Sequence, residues 1–236
     1  MRTIVISDIH GYFDEFLELL NRVKYTEKDC LYLLGDYVDK GSKSKETVQY
    51  VMTLAQKENV KVIGGNHDDL FLHWLDGQDH KRMPYAGDKV AGDKTILSFA
   101  PFFKKGENEE EVRTWIQREY KQEIDFLRQL PYYMEDDHHI YVHAGINPLC
   151  EDWKETSPKD FRWIRNKFYR KDHTQDKTVV FGHTATSVLH EDENNVNIWF
   201  GNRKIGIDGG AKFGGGLHAL LIENGEYTSE FIKVEE

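Results

Sequence analysis

The chain has 236 residues, 39% of them hydrophobic and 31% charged, which suits one sizeable folded core. Its net charge of −10 excludes a general affinity for nucleic acid or anionic membrane, because both need a basic surface. Cys30 and Cys150 form no Cys-x-x-Cys pair, and no apolar stretch reaches the length of a membrane span.

The N-terminal run enters a strand at once and meets Asp8 too soon for a secretory signal, so the cytoplasm is the expected location. Thr3 to Ser7 is the β-branched strand. Phe13, Phe16, Leu17, Leu20 and Val23 follow at helical spacing. Cys30 to Leu34 is a second apolar run, with Cys30 expected as a buried thiol. Val48, Val51, Met52 and Ala55 mark another helix face, and Val60 to Ile63 a third strand. A βαβαβ order predicts parallel strands joined by helical crossovers.

From about 76 to 106 the chain reads as irregular, and Glu109 to Leu130 as one charged helix turning Val112, Trp115, Ile116 and Leu127 inward. The span 76–130 is expected to be an insertion over the sheet edge, either a cap or a solvated excursion. Ser157 and Pro158 form an N-cap and first-turn proline opening a helix through Phe168. Strands are expected over Ile140–Val142, Val179–Phe181, Asn197–Phe200, Lys204–Ile207, Leu217–Ile222 and Tyr227–Val234, closely enough spaced for antiparallel pairing. The expected architecture is one α+β domain over 1–236, rich in α/β units: two mixed β-sheets packed as a sandwich between flanking helices.

Five segments place Asp, His or Asn just after an apolar strand. They are Ser7-Asp8-Ile9-His10-Gly11, Gly35-Asp36-Tyr37-Val38-Asp39-Lys40-Gly41, Gly64-Gly65-Asn66-His67-Asp68, Val142-His143-Ala144-Gly145 and Phe181-Gly182-His183-Thr184. Each alone is an ordinary turn former. Together they put oxygen and nitrogen donors at the carboxyl ends of five strands, where ligand sites of open sheets gather. Asp8 and His10, two apart in extended chain, point to the same side. Asp36 has two carboxylate oxygens with which to bridge cations. Such a donor set suits manganese, iron or zinc over a thiolate-preferring ion.

This set resembles the calcineurin-like metallophosphoesterases of the phosphoprotein phosphatase type, which include serine/threonine phosphatases and symmetrical diadenosine tetraphosphatases. The resemblance runs from Asp8 to about Gly216 and implies two divalent metal ions, manganese first. Asp8 and His10 would hold one, Asp36 would bridge, and Asn66, His143 and His183 would hold the other. It implies His67 as general acid, oriented by Asp39, in a hydrolysis by metal-activated hydroxide. Lys40 stands where the family has an arginine phosphate clamp, so a point charge replaces a bidentate fork. Arg165 matches the second clamp, with Arg162 as its substitute. Ile207-Asp208-Gly209-Gly210-Ala211 resembles a late motif of bacterial members and receives no catalytic role.

The expected substrate is a phosphorylated protein or small phosphate ester, with diadenosine tetraphosphate as the alternative. Trp74, Tyr85 and Trp153 are read either as adenine-stacking residues or as core. His73, His80, His138, His139, His173, His190 and His218 are expected at the surface or in turns, His218 nearest the site. Arg162, Arg165, Lys167, Arg170 and Lys171 form a basic patch that could take an acidic substrate but reads as a solvated helix face for all but Arg165.

Overall fold

The computed structural model describes residues 2–79 and 83–234, so His80 lies outside the described residues. The chain begins with β1 (Thr3–Ile6), α1 (Phe13–Arg22), β2 (Cys30–Leu33), α2 (Ser44–Leu54) and β3 (Val60–Val62). The β-branched Thr-Ile-Val-Ile of β1 buries Ile4, Val5 and Ile6. In α1, Phe16, Leu19 and Leu20 share the buried face, with Asp14 and Glu15 in the first turn and Arg22 in the last, complementing the helix dipole. β1–β2 and β2–β3 pair in parallel, as the crossover order predicts.

Then come α3 (Asn66–Leu75), α4 (Gly92–Phe99), α5 (Glu109–Glu119), α6 (Lys121–Gln129), β4 (Tyr133–Glu135) and β5 (His139–Val142). The region read as irregular therefore contains a helix: Thr95, Ile96 and Phe99 of α4 are buried. The single long helix expected over 109–130 is two, because Tyr120 leaves helical dihedrals at φ −118° and ψ 37°. Tyr120 instead packs edge-on against Phe99 and Trp115.

The remainder is α7 (Pro158–Trp163), α8 (Asn166–Tyr169), β6 (Thr178–Phe181), α9 (Thr186–Leu189), β7 (Trp199–Gly201), β8 (Lys204–Gly206), β9 (Gly216–Glu223) and β10 (Glu226–Lys233). Ser157 caps α7 as expected, its hydroxyl accepting from the Asp160 amide. The helix stops at Trp163 rather than running to Phe168, since Ile164 and Arg165 turn away from helical geometry. The β7–β8 and β9–β10 pairs are antiparallel, but β5–β6 and β6–β8 are parallel.

One sheet runs β10-β9-β1-β2-β3 and the other β4-β5-β6-β8-β7. Between them Val5, Leu34, Val180, Ile205 and Leu220 form a shared apolar layer. Tyr32 and Tyr141 stack across it with ring centroids 3.8 Å apart, worth about 0.5–1.5 kcal/mol beyond area burial. Helices α1 to α6 cover the outer face of the first sheet, and α7 to α9 that of the second. The architecture is α+β with two mixed sheets between helices, and it points the carboxyl ends of β1, β2, β3, β5 and β6 at one region. No helix among the described residues is long and apolar enough to cross a membrane. Cys30 is half-buried rather than sealed in the core.

Candidate metal centre

The loops after the five strands are knitted together by their backbones. The Asp8 amide donates to the Gly35 carbonyl at 3.1 Å, the His10 amide to Asp36 O at 2.8 Å, and the Gly182 amide to His143 O at 2.8 Å. The His183 amide reaches across to both Asp8 carboxylate oxygens, at 3.2 and 3.0 Å. Of eleven described non-glycine residues with positive φ, six are Asp8, His10, Asp36, Asp39, Lys40 and His183. Each such conformation costs on the order of 1 kcal/mol and persists only where its surroundings over-determine it. Strain of this kind concentrates at functional sites.

Asp8, His10, Asp36, Asn66, His143 and His183 are all buried and converge. Donor atoms of Asp36, His143 and His183 lie within 4.8 Å of one another, as do those of His10, Asp36 and His67. Asp36 belongs to both groups. Its Oδ2 is 3.5 Å from His10 Nε2, and its Oδ1 is 3.4 Å from His143 Nε2. Asp8 Oδ1 is 3.9 Å from His10 Nε2.

The donor chemistry fits divalent cations. His10 Nδ1 must donate to the Val38 carbonyl at 2.9 Å, and His143 Nδ1 to the Leu34 carbonyl at 2.8 Å, so each turns the Nε2 lone pair into the site. His143 Nε2 then faces Asn66 Oδ1 at 2.9 Å and Asp36 Oδ1: acceptors facing acceptors, which a cation reconciles. His10 Nε2, Asp36 Oδ2 and both ring nitrogens of His183 are buried without a hydrogen-bond partner. Burial holds His10 and His183 far below the usual imidazole range and His143 at about 4, which keeps them in the neutral, ligating form. Burial, and then the neighbouring Asp8 and Asp68, push Asp36 well above the usual carboxylate range. Lys212 opposes the rise without cancelling it.

Two glycines are required by close approach. A Cβ on Gly65 would lie 2.2 Å from Asp36 Oδ1, and one on Gly182 would lie 2.1 Å from Asp8 Oδ2. Gly65→Ala is therefore expected to displace the Asp36 carboxylate and cut Mn²⁺ binding by at least about tenfold, with an overpacking cost of about 1–3 kcal/mol. Calorimetric titration and thermal melts check this; unchanged affinity would show that the Asp36 position has slack.

His67 is the second residue of α3, and its Nδ1 lies 2.6 Å from Asp39 Oδ2. The carboxylate accepts, so Nδ1 carries the proton and Nε2 is left for the site. His67 and His10 stand edge to face, ring centroids 4.7 Å apart. Burial raises Asp39 to about 7, against the hydrogen bonds from Tyr85 and Thr95. Both act on Asp39 Oδ1: the Tyr85 hydroxyl at 2.5 Å and the Thr95 hydroxyl at 2.8 Å. From sequence Tyr85 reads only as a stacking or core residue and Thr95 has no reading, since both lie in a stretch without clear periodicity. Asp68, the last residue of the third segment, has no role in the reading of the sequence. Its carboxylate accepts from the Gly65, Asp36 and Tyr37 amides at 2.8, 3.0 and 3.0 Å, tying the second and third loops together.

Lys40 is half-buried and its Nζ donates to the Lys89 carbonyl at 2.8 Å. Arg165 is exposed, and its guanidinium reaches the His183 carbonyl at 3.1 Å, at the rim of the site. Arg162 is neither a substitute clamp nor a solvated side chain. It is buried, paired with Asp69, and lies 4.5 Å over the Tyr132 ring. Trp74, Tyr85 and Trp153 are core residues, not exposed stacking platforms. His139, His173 and His218 are buried and hydrogen-bonded, contrary to the surface expectation; His218 Nε2 donates to Val196 O at 2.7 Å. A cation missed from sequence is Lys212, with Nζ 3.5 Å from the His183 carbonyl and 3.8 Å from Asp208 Oδ2. Asp208 itself is buried and raised to about 6 by burial and then Asp8.

Residues 1–211 match the family model described as calcineurin-like phosphoesterase. Among curated proteins, the chain is 37% identical over 153 residues to a symmetrical bis(5'-nucleosyl)-tetraphosphatase of Vibrio campbellii, covering 64% of this chain and 47% of that protein. The chain thus spans about half the length of the curated relatives it matches. Among solved structures, it resembles a candidate diadenosine tetraphosphatase (TM-score 0.65, 21% identity, 98% of this chain and 93% of that one). It also resembles a protein serine/threonine phosphatase of Saccharomyces cerevisiae (TM-score 0.60, 14% identity, 100% and 81%). At these identities the structural likeness shows the fold alone.

Proposed function

The chain belongs to the calcineurin-like phosphoesterase family, and from that premise we propose that it hydrolyses the phosphate chain of a dinucleoside polyphosphate of the diadenosine tetraphosphate kind. The observation that carries the substrate class is the 37% identity to a curated symmetrical tetraphosphatase. It reverses the order expected from sequence, where phosphomonoesters stood first.

In this reading Asp8, His10 and Asp36 would hold one divalent cation, and Asp36, Asn66, His143 and His183 would hold a second. When bound, such ions acidify water toward neutral pH, supply the nucleophile for in-line attack at phosphorus, and offset charge on the phosphoryl oxygens. Manganese is the first choice, with iron or zinc as alternatives. The chain's own part is orientation and proton transfer. His67, protonated on both nitrogens, gives the Nε2 proton to the departing oxygen while its Nδ1–H stays on Asp39. Lys40 and Arg165 stand as positive groups at the edge of the site to hold the phosphate.

The described residues between 83 and 130 are a support for the site in this reading. Among them Tyr85, Ile96, Phe99, Val112 and Ile124 share the main core with α1 and α2, and Tyr85 and Thr95 anchor Asp39. Tyr85→Phe keeps the ring and removes one hydrogen bond to Asp39. A loss of about 1.4 kcal/mol, roughly tenfold in kcat on substrates with poor leaving groups, is expected. An equal loss on p-nitrophenyl phosphate would assign Tyr85 to stability alone.

The decisive comparison is kcat/KM for diadenosine tetraphosphate, a phosphoserine peptide and p-nitrophenyl phosphate with Mn²⁺. Diadenosine tetraphosphate is expected to lead by at least about tenfold and to give two nucleoside diphosphates. Turnover of the phosphopeptide with none of the dinucleotide would restore the phosphomonoester reading.

A further inference from the structure

A cleft of about 630 Å³ opens beside the metal-type ligands. It adjoins the site at three places. Gly11 follows His10, Lys40 follows Asp39, and Lys212 reaches the His183 carbonyl. Its lining carries four lysines (Lys40, Lys43, Lys94 and Lys212) against two carboxylates, Asp14 and Glu15. On a chain of net charge −10 this is a local reversal of sign. Lys43 is taken up by Asp14 at 2.5 Å. Lys94 is exposed, on the first turn of α4. Burial above all draws the Lys40 ammonium below its ordinary value; Asp39 opposes this, and Lys212 and Lys94 add to it.

The rim of the same cleft is aromatic. Tyr12, Phe13 and Phe213 line it, and Phe213 is 74% exposed with Lys212 Nζ 5.4 Å from its ring. An isolated surface phenylalanine needs no explanation. One standing over a row of lysines, one step from a phosphate-hydrolysing centre, has a chemical complement: an aromatic base carried on a polyanionic chain. Trp74, Tyr85 and Trp153 are core, whereas the Phe213 ring stands exposed at this cleft.

We propose that this cleft is a subsite for a nucleoside polyphosphate, in which Lys94 and Lys212 neutralise phosphates beyond the one that Lys40 holds and Phe213 stacks the base. The inference rests on the chain's reading as a phosphohydrolase and adds to it the residues that select a nucleotide. It does not require diadenosine tetraphosphate to be turned over, because any nucleoside triphosphate fits the same chemistry.

The test is inhibition of p-nitrophenyl phosphate hydrolysis by ATP and by inorganic tripolyphosphate, with free Mn²⁺ held constant. Wild type, Lys94→Ala and Phe213→Ala are compared. Both positions are exposed, and turnover of the chromogenic substrate in the same sample reports folding. Lys94→Ala is expected to raise the inhibition constants of both polyphosphates about tenfold, and Phe213→Ala that of ATP alone, also about tenfold. Inhibition constants that move in neither variant, or wild type that binds neither polyphosphate, would overturn the subsite. Wild type that is inhibited as expected but leaves diadenosine tetraphosphate uncut would overturn the proposed substrate and leave the subsite standing.

Discussion

His67→Asn is expected to lower kcat on a poor leaving group by about 10²- to 10⁴-fold while both metal ions remain bound. The expectation comes from what each ring nitrogen of His67 does. Nδ1 is committed to Asp39 at 2.6 Å, in a pair fixed by Tyr85 and Thr95. Nε2 is left for the site. Burial, then Lys212 and Lys40, depress the His67 pKa, so the protonated form needs both the Asp39 carboxylate and an arriving anion. A group held like this transfers protons. The loss should therefore track the leaving group: large for phosphoserine, small for p-nitrophenyl phosphate, whose phenolate departs unaided. His67 also offers a donor atom within 4.8 Å of those of His10 and Asp36. Metal content in the variant decides between the two roles, and loss of an ion would make His67 a ligand.

Asp36→Asn is expected to abolish the second site and cost on the order of 10³-fold in kcat/KM, since a two-metal centre contributes several kcal/mol. The Asp36 carboxylate alone spans the two donor groups, 3.5 Å from His10 Nε2 on one side and 3.4 Å from His143 Nε2 on the other. An amide presents one oxygen and an N–H₂ that repels a cation. The fold should survive, because the Asp36 amide bond to Asp68 is a backbone contact. Indeed the metal-free variant should melt higher than metal-free wild type. Asp36 is buried beside Asp8 and Asp68 and pushed well above its ordinary pKa, so neutralising it relieves repulsion. The gain in Tm on adding Mn²⁺ should shrink correspondingly. Melts with and without Mn²⁺, beside metal content, check both halves. A variant that keeps two ions and full activity would remove Asp36 from the centre.

What is legible in the sequence and what is not follows from range. Asp8, His10, Asp36, Asn66, His143 and His183 each sit one to four residues beyond the end of an apolar strand, so local pattern and the parallel order suffice to bring them together. The Asp39–His67 pair is legible through the family resemblance, and the structure sets the two side chains in contact. Tyr85 and Thr95 reach Asp39 across 46 and 56 residues, from a stretch whose helix among the described residues is eight residues long. No local pattern reports such a contact. Lys212 is an ordinary lysine by composition. A left-handed Gly210, φ 75°, precedes the short turn that carries it back to the His183 carbonyl. The helix ends at Tyr120 and Ile164 escape periodicity because the side chains beyond each break continue an apolar spacing, while the backbone turns to let Tyr120 pack on Phe99 and Phe168 on Phe181.

The most direct test is to titrate the metal-free chain with Mn²⁺ while following hydrolysis of p-nitrophenyl phosphate. With Asp36 joining two donor groups, activity should stay near zero through the first equivalent and rise to a plateau at the second. A plateau at one equivalent, or turnover without added metal in the presence of a chelator, would contradict a two-ion centre built from these five strand ends.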